Sequence, residues 1–573
     1  MSGILGLMDI ARRTLAASQV GVEVTSNNIS NADTAGYSRQ IVILENGLAL
    51  DTAYGQLGTG VKVTGVERAF DSFVTANLDK NTSSLSEYKS KADYLEQVAS
   101  LFNETTDDGL SELFANFWNA WSDLADNPSG AGERQSLLTQ AENLADALGY
   151  RSNQLVQIRT AITQEINATV SEINNYTAQI AELNKQIVAA EADGSMANDL
   201  RDQRNMALNS LSGLIGISYY TSGDSTINVS LTNGTSLVEG VNARSLRSEI
   251  TSSDTVSIIW EGPGGTEMDI TSGLSGGELS AQIEIRDTKI PEYQSDFDDI
   301  AKTLIVAVNG LHSQGVGLEM LTTATSPYYI VTGDLASPLV NNPSLAFGDS
   351  ITAGQFTVHV EDGSGASAAS TITITGATTL ADLAAQLNAV SGISATIVTS
   401  GTENRLEITA DAGYSFGFSE DSSQALMALG INSFFTGDSA SNIGVNEALV
   451  DNVNLIAAGQ IDPTTGDHPV GDNNNALLLA ELSDQAVGPG GLTFDAAYQQ
   501  LVMNMGLDAE QAGNNQDFYQ GLVDQCTELR NSISGVNLDE ELTNLLKFQR
   551  IYQAAAQIIT AADEMLQTLL EIK

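Results

Sequence analysis

Cysteine, proline and histidine are scarce in this chain of 573 residues, which contains one, nine and three of them respectively. The lone Cys526 excludes a disulfide within the chain, and its apolar helical surroundings predict a buried structural thiol. No apolar run approaches the ~20 residues that span a bilayer. Asp9, Arg12 and Arg13 interrupt the first apolar run, so we expect any export to proceed without a cleaved signal peptide.

Basic residues are also scarce, because 24 lysines and arginines face 72 acidic residues, for a net charge of −48. Nucleic acids and anionic membrane surfaces would repel such a chain, so we expect no nucleic acid and no membrane as a partner. The charge is uneven: residues 1–40 are neutral, whereas residues 303–528 hold twenty-five acids and one base, Arg405. This distribution predicts a middle that repels other copies and ends that can associate.

Residue patterns that carry catalysis or metal binding are missing from the sequence. His312, His359 and His468 are scattered, and none has a cysteine or carboxylate at metal-ligand spacing. The glycine-rich run at 262–265 lies between strand-like segments, which favours a hairpin tip over a phosphate-binding loop. We therefore expect no metal, no cofactor and no enzymatic activity.

The last forty residues, 534–573, predict one long helix. Asn537 can cap its start, and the acids at 539–541 fall in the first turn, where negative charge is favoured. Apolar residues then recur three and four apart, as in a coiled-coil seam, with Glu541 as its one polar member. The seam comprises Leu538, Glu541, Leu545, Phe548, Tyr552, Ala555, Ile559, Ala562, Leu566 and Leu569. A second stripe through Ile551, Ile558 and Met565 indicates neighbours on more than one side.

The first thirty-odd residues show the same spacing on smaller side chains. They place Ile4, Met8, Ala11, Leu15, Ser18, Val22, Thr25, Ile29 and Ala32 on one face of a helix. Small side chains allow close helix approach but bury little area, so an isolated pair would be marginal. Two interpretations stay open: a helix pair that closes a domain within one chain, or segments that fold when copies assemble.

The middle of the chain changes between helical and β-prone patterns, which predicts a multidomain, mainly α fold with inserted β domains. We expect the N- and C-terminal helices to pair as an axial coiled coil, a nested helical bundle around them, and antiparallel β and α+β insertions outermost. The predicted segments are 1–40, axial helix and turn; 41–80, β-ribbon and loop; 81–215, helical bundle; 216–275, inserted β domain; 276–317, return helices of the bundle; 318–438, inserted outer α+β domain; 439–533, return loop and bundle helices; and 534–573, C-terminal axial helix.

Several local patterns in the middle give sharper predictions. Trp118 and Trp121 lie three apart on one helix face, which favours core packing over contact with a neighbouring subunit. The Asn233-Gly234 pair between alternating runs predicts a β-hairpin turn. A helix is predicted from Gly277 to His312 with a break at Pro291. Further helices are predicted over 476–481, 494–505 and 518–532.

Short motifs near both ends carry a family resemblance. Near the start stand Asn28-Ile29-Ser30-Asn31-Ala32 and Gly36-Tyr37-Ser38-Arg39, and near the end Gly535-Val536-Asn537-Leu538-Asp539-Glu540-Glu541 and Leu546-Lys547-Phe548-Gln549. Together they resemble the terminal signatures of bacterial flagellar rod, hook and hook-associated proteins. The runs Phe117-Trp118-Asn119-Ala120-Trp121 and Asn198-Asp199-Leu200-Arg201-Asp202-Gln203-Arg204 are similar to those of hook-associated members.

The resemblance implies a structural, non-enzymatic subunit that joins the flagellar hook to the filament. Its implied partners are copies of itself in a ring, the hook protein, the second hook–filament junction protein, and an export chaperone on the C-terminal helix. It also implies type III export and an extracellular position on the flagellum. The alternatives are another hook-type axial component, or a surface adhesin carried by the outer β domains. Subunits are expected to meet through Ile4, Met8, Ala11, Leu15, Val22, Ile29, Asn31, Gly36, Tyr37, Leu538, Leu545, Phe548, Tyr552, Ile559, Leu566 and Leu569.

Overall fold

A computed structural model describes residues 3–52, 55–102 and 109–571, which are mainly helical with several small antiparallel sheets. The chain divides into two compact units. Unit 1 comprises residues 1–94, 161–287 and 510–573, and unit 2 comprises residues 95–160 and 288–509. Predicted segments also include residues 1–2, 53–54, 103–108 and 572–573, which lie outside the described residues.

The helices and strands have the following bounds. The α-helices are α1 (Ile4–Ser30), α2 (Ser72–Ser100), α3 (Leu110–Asp126), α4 (Ala131–Ala190), α5 (Asn198–Leu214), α6 (Gly277–Glu284), α7 (Ile290–His312), α8 (Leu380–Asn388), α9 (Ala425–Leu429), α10 (Glu447–Asp451), α11 (Asn474–Glu481), α12 (Phe494–Ser534) and α13 (Leu538–Glu571). The strands are β1 (Gln40–Asn46), β2 (Leu50–Thr52), β3 (Gly55–Leu57), β4 (Val61–Arg68), β5 (Ile217–Thr221), β6 (Ile227–Leu231), β7 (Ser236–Glu239), β8 (Asn242–Ala243), β9 (Ser245–Ile250), β10 (Val256–Glu261), β11 (Glu267–Asp269), β12 (Thr323–Thr325), β13 (Ile330–Val331), β14 (Gly354–Asp362), β15 (Ser367–Ile374), β16 (Ile393–Ser400), β17 (Glu403–Ala410), β18 (Tyr414–Ser419), β19 (Phe435–Thr436) and β20 (Gly444–Val445).

Two asparagines on α4 attach this helix to the strands of unit 1. Asn174 donates to the carbonyl of Leu246 at 2.8 Å and accepts the amide of the same residue at 2.8 Å. Asn184 donates to the carbonyls of Ile227 and Gly240 and accepts the Ile227 amide. Asn174 therefore takes the place of a strand partner beside β9, the edge strand of the sheet β11-β10-β9. Asn184 does the same at the start of β6, an inner strand of the sheet β5-β6-β7-β8, where the ladder with β7 has ended.

The predicted Asn-Gly hairpin is confirmed between β6 and β7. Gly234 has a φ of +90°, a left-handed conformation that an ordinary side chain disfavours, and its amide donates to the Leu231 carbonyl at 2.9 Å. The turn residues thus supply the geometry that joins two antiparallel strands.

Two predicted helix interruptions are wrong. Between α6 and α7 the chain stays helical through a π-helical turn, Ile285–Lys289, and Pro291 lies in the first turn of α7. Proline is tolerated there because the first amides of a helix have no partner within it. The predicted gap between residues 505 and 518 lies inside α12, which is continuous. Glycines such as Gly506 cost an interior helix only about 1 kcal/mol each, which the flanking turns offset.

Aromatic residues form the core of unit 2, as predicted for the tryptophan pair. Trp121 is fully buried, and Trp118 is 8% exposed. The Trp121 ring lies 5.2 Å from that of Phe434, and Phe117 lies 6.0 Å from the same ring. The core interpretation of the two tryptophans is therefore confirmed. Phe434 also shows that residues at the end of the predicted 318–438 segment lie within this aromatic core.

His312 lies at the edge of this core, fully buried. Its Nδ1–H donates to the Asn432 carbonyl at 2.8 Å, and its Nε2 accepts the Ala457 amide at 3.0 Å. This arrangement requires a neutral ring, because a protonated Nε2 cannot accept. Burial lowers the pKa of His312 to about 4, the carbonyl of Asn432 opposes that shift, and the cationic Arg134 adds to it.

Unit 2 is expected to lose stability in acid through His312. The folded pKa of about 4 lies below the unfolded value of 6.5, so the stabilisation is complete above 6.5 and is lost as the pH falls through 4. The full loss is on the order of 3 kcal/mol. An NMR titration of the imidazole protons, assigned with a His312→Gln variant, measures the pKa directly. His468→Gln is the control, since this ring is partly exposed; a His312 midpoint near 6.5 would contradict the prediction.

Two further observations concern the sequence predictions. Cys526, predicted to be a buried structural thiol, is only partly buried, and Asn81 donates to its sulfur at 3.4 Å. Within the described ranges no helix has an apolar stretch long enough to cross a membrane.

Candidate assembly surface at the paired termini

The first and last helices, α1 and α13, pack against each other in antiparallel directions in unit 1. Asn28 of α1 contacts Glu541 of α13. Gly21, seven residues before Asn28, lies under Phe548, which is seven residues after Glu541. A Cβ added at Gly21 would lie 2.6 Å from the Phe548 ring, so only glycine allows this approach. This contact therefore places a large aromatic side chain of one helix over a glycine of the other.

The buried face of α1 coincides with the predicted seam at Ala11, Ser18 and Thr25, and lies one position before it at Ala17, Gly21 and Asn28. Its buried residues are Ala11, Ala17, Ser18, Gly21, Thr25 and Asn28. The larger predicted members, such as Leu15 and Val22, lie beside the contact and stay partly exposed. On α13 the predicted seam is closer to the buried face, since Glu541, Ala555 and Ala562 are buried.

Glu541, the one polar member of the predicted seam, is the centre of a buried hydrogen-bond network. Its side-chain carboxylate accepts Arg39 Nε at 2.8 Å and Asn28 Nδ2 at 2.9 Å, and the residue is 2% exposed. The neighbouring Glu540 accepts Arg39 Nη1 at 3.2 Å from an exposed position. Since the charge is paired and hydrogen-bonded, its burial ties the N-terminal turn to the start of α13.

The turn that follows α1 is held by Asn28. This side chain donates to the Gln40 carbonyl and accepts both the Gln40 amide and the Tyr37 hydroxyl. Burial, with the nearby Asp199, Asp202 and Glu541 carboxylates, raises the pKa of Tyr37 to about 12. Gly36 has a φ of +78°, which explains why the resembling motif has glycine there.

A second anchor for the same turn comes from α5. Asp202 accepts the backbone amide of Ser38 at 2.9 Å, its hydroxyl at 2.7 Å, and Arg68 Nη1 at 2.6 Å. The side chains of Arg68 and Asp202 are 8% and 7% exposed, so this ion pair is buried. Adjacent residues Ser38 and Arg39 are thus fixed by two different helices, α5 and α13.

The sixteen predicted interface residues differ in their exposure. Ala11 is buried, twelve are partly buried, and Leu538, Tyr552 and Leu569 are exposed. The prediction omitted Asn28, Arg39, Asp202 and Glu541, which hold the turn in place. All four lie inside the sequence motifs that carry the family resemblance, so these motifs could have identified them.

Large apolar side chains remain exposed along α13 after it has paired with α1. Leu538, Leu542 and Leu546 are 50%, 49% and 56% exposed and follow one another at intervals of four. Further along, Ile558 and Met565 are exposed, each three residues after a buried alanine and therefore on the other flank of the buried face. The paired termini therefore present two apolar flanks to solvent.

Metal or cofactor chemistry has no evident location. Over residues 3–52, 55–102 and 109–571, no three histidine, cysteine, aspartate or glutamate side chains are grouped to hold a metal ion. His312 is bonded within the core, His359 Nε2 contacts Ser419 Oγ at 2.8 Å, and His468 lies 3.6 Å from Glu361.

Comparison with known families gives matches over four parts of the chain. The helical domain of the flagellar hook-associated protein FlgK matches residues 95–324. The flagella basal body rod protein family matches residues 8–37, and the C-terminal family of flagellar basal body rod FlgEFG proteins matches residues 530–572. The flagellin hook IN motif matches residues 355–412.

Whole-chain relatives agree with these matches. Flagellar hook-associated protein 1 of Salmonella typhimurium is 27% identical, over 99% of this chain and 100% of the relative. The proteins of the same description from Escherichia coli and Bacillus subtilis are each 26% identical over 99% of this chain. The structure of the flagellar hook junction protein FlgK from Burkholderia pseudomallei has a similar fold, with a TM-score of 0.54 and 18% identity; it covers 80% of this chain and 100% of that one.

The paired terminal segments, with rod-protein matches at both ends, place this chain among the structural axial proteins of the bacterial flagellum. Within that class, the full-length relatives and the helical-domain match show that the chain belongs to the flagellar hook-associated protein 1 family. These matches do not favour the two alternative functions, another hook-type axial component and a surface adhesin.

Proposed function

We propose that this chain is a structural subunit of the hook–filament junction and that copies assemble through α1 and α13 as an axial coiled coil. The observation that carries the proposal is the pair of apolar flanks left exposed on α13. Exposed leucines at regular spacing are costly in a chain that is otherwise strongly acidic, unless another helix covers them. The contacts of Gly21 with Phe548 and of Asn28 with Glu541, seven residues apart on both helices, support a coiled-coil geometry.

In this proposal the predicted segments are nested around the axis. The bundle segments 81–215 and 276–317 surround the terminal helices, and the insertions 216–275 and 318–438 lie outermost, except for the end of the second insertion around Phe434, which packs in the aromatic core of unit 2. The charge distribution supports this order, because residues 1–40 are neutral while residues 303–528 hold one basic residue. Acidic outer segments would limit lateral association between neighbouring copies.

The partners follow from the same surface. Copies of the chain form a ring, with the hook protein on one side and the second hook–filament junction protein on the other. Before assembly an export chaperone covers the C-terminal helix, which supports its type III export. The exposed Leu542, Leu546 and Leu569 give such a chaperone an apolar surface to bind.

Met565→Asp is expected to lower incorporation of the subunit at the junction by tenfold or more. This side chain is 44% exposed, so its replacement costs little within one chain but places a charge in the contact between copies. The measurement is the fraction of hooks that carry filaments in cells complemented with the variant.

Met503→Asp is the matched control, since this methionine is 56% exposed on α12 in unit 2. It is expected to behave as the wild type. Equal effects of the two substitutions would contradict assembly through the terminal helices.

A further inference from the structure

The β-ribbon formed by β1 to β4 exposes an unusual number of leucines. Leu48 is 90% exposed, and Leu50 and Leu57 are 56% and 53% exposed. Leu50 is paired with Leu57 across the β2–β3 hairpin, so the two side chains share one face. Each of these leucines leaves more than half of its side chain exposed, and together they form an apolar surface that the terminal helices do not include.

The charges beside the ribbon and beside α13 are complementary. Residues 41–60 contain Glu45 and Asp51 and no basic residue. On α13, Arg550 continues the four-residue spacing of Leu538, Leu542 and Leu546 at the end of that flank. Neither Asp51 nor Arg550 forms an ion pair with any residue that the structure describes.

The ribbon and this flank of α13 cannot meet within one chain. A Cβ at Gly60 would lie 3.3 Å from Ile10, so the hairpin end of the ribbon lies at the Ile10 level of α1. The start of α13 lies at the Asn28 level of α1, where Glu541 is bound. Eighteen residues of helix separate these two levels, or roughly 27 Å at about 1.5 Å per residue. Leu546, two residues before Phe548, lies near the Glu23 level, so the near end of the flank is still roughly 20 Å away.

We infer that the ribbon leucines of one copy cover the Leu538–Leu546 flank of α13 on the next copy, with Asp51 facing Arg550. The inference rests on the proposed function and identifies a second surface for it. The two surfaces differ and lie far apart on each chain, so every copy can offer its ribbon to one neighbour and its helix to another. Such a head-to-tail contact forms a ring when the rotation between copies closes.

Cysteine cross-linking of assembled flagella tests this contact. In a Cys526→Ser background, Leu50→Cys and Leu546→Cys are introduced together into the full chain, and flagella isolated from complemented cells are oxidised. The expected product is a ladder of covalent multimers longer than dimers, because each copy is linked to the next at both surfaces. Each single-cysteine variant is the control and can give at most a dimer.

An internally bridged monomer would place the contact within one chain and overturn the inference. Cross-linked products no longer than those of the single-cysteine controls would also overturn the inference, because the ribbon would then contact a different partner. Neither result affects the proposed function, which the Met565→Asp and Met503→Asp pair tests separately. If Met565→Asp also behaves as the wild type, the proposed function itself fails.

Discussion

Glu541→Ala is expected to release the N-terminal turn from α13 and destabilise the helix pair by about 3–5 kcal/mol. The lost carboxylate is the acceptor for Arg39 Nε and Asn28 Nδ2, and its residue is 2% exposed. Arg39 would be left as a largely buried cation without its main partner, which is costlier than the loss of one hydrogen bond. Hydrogen exchange at the amides of α1 and α13 measures the effect segment by segment.

Glu540→Ala is the matched control because both carboxylates bind the same arginine. The Glu540 side chain is 60% exposed, and its contact with Arg39 Nη1 is 3.2 Å, so its removal should cost about 0–1 kcal/mol. We expect protection of α1 to fall strongly in the first variant and to stay near the wild-type level in the second. Similar exchange in the two variants would show that burial of Glu541 does not stabilise the pair.

Local patterns in the sequence predicted the start of α13 and the Asn-Gly hairpin, because both depend on neighbouring residues. Asn537 is followed by a helix that begins at Leu538, and its side chain accepts the Asp539 amide at 3.0 Å. Gly234 supplies the positive φ that its turn requires. In each case the residue that decides the conformation is one or two positions away.

The partners of Glu541 and Asp202 could not be predicted in the same way. Arg39 and Glu541 are 502 residues apart, and Arg68 and Asp202 are 134 apart. Periodicity marks Glu541 only as a polar interruption of a seam, and it assigns no role to Asp202. The pairing of a buried acid with a particular base depends on how distant parts of the chain fold against each other. The spacing of residues along one helix does not contain this information.

The buried face of α1 was predicted only in part, at Ala11, Ser18 and Thr25, for a related reason. Apolar spacing favours the face with the larger side chains, such as Leu15 and Val22, whereas the observed contact uses Gly21 and its small neighbours. Shape complementarity to Phe548 on the partner helix decides the rotation of α1, and the sequence of α1 alone does not record that partner. The larger side chains are thereby left beside the contact, where further helices can pack.

Phe548→Asp is expected to separate the terminal helices and abolish incorporation of the subunit into the flagellum. The substitution removes the ring that fills the space over Gly21 and places a charge in that contact. Since Phe548 is only partly buried, the loss of the ring should cost somewhat less than the ~3–5 kcal/mol of a fully buried phenylalanine. Hydrogen exchange should report unprotected α1 and α13, while the Trp121 core of unit 2 keeps its protection. Gln557→Asp adds the same charge at an exposed position of α13 and should assemble normally.

A second substitution tests the same contact from the opposite helix. Gly21→Ala places a Cβ 2.6 Å from the Phe548 ring, which should cost about 1–3 kcal/mol through overpacking. Combining it with Phe548→Leu removes the ring atoms that the new methyl group meets, so the double variant should be more stable than the sum of the single effects predicts. Strictly additive effects would mean that Gly21 and Phe548 do not touch. The assembly defect of Phe548→Asp would then need a cause outside the pairing of α1 with α13.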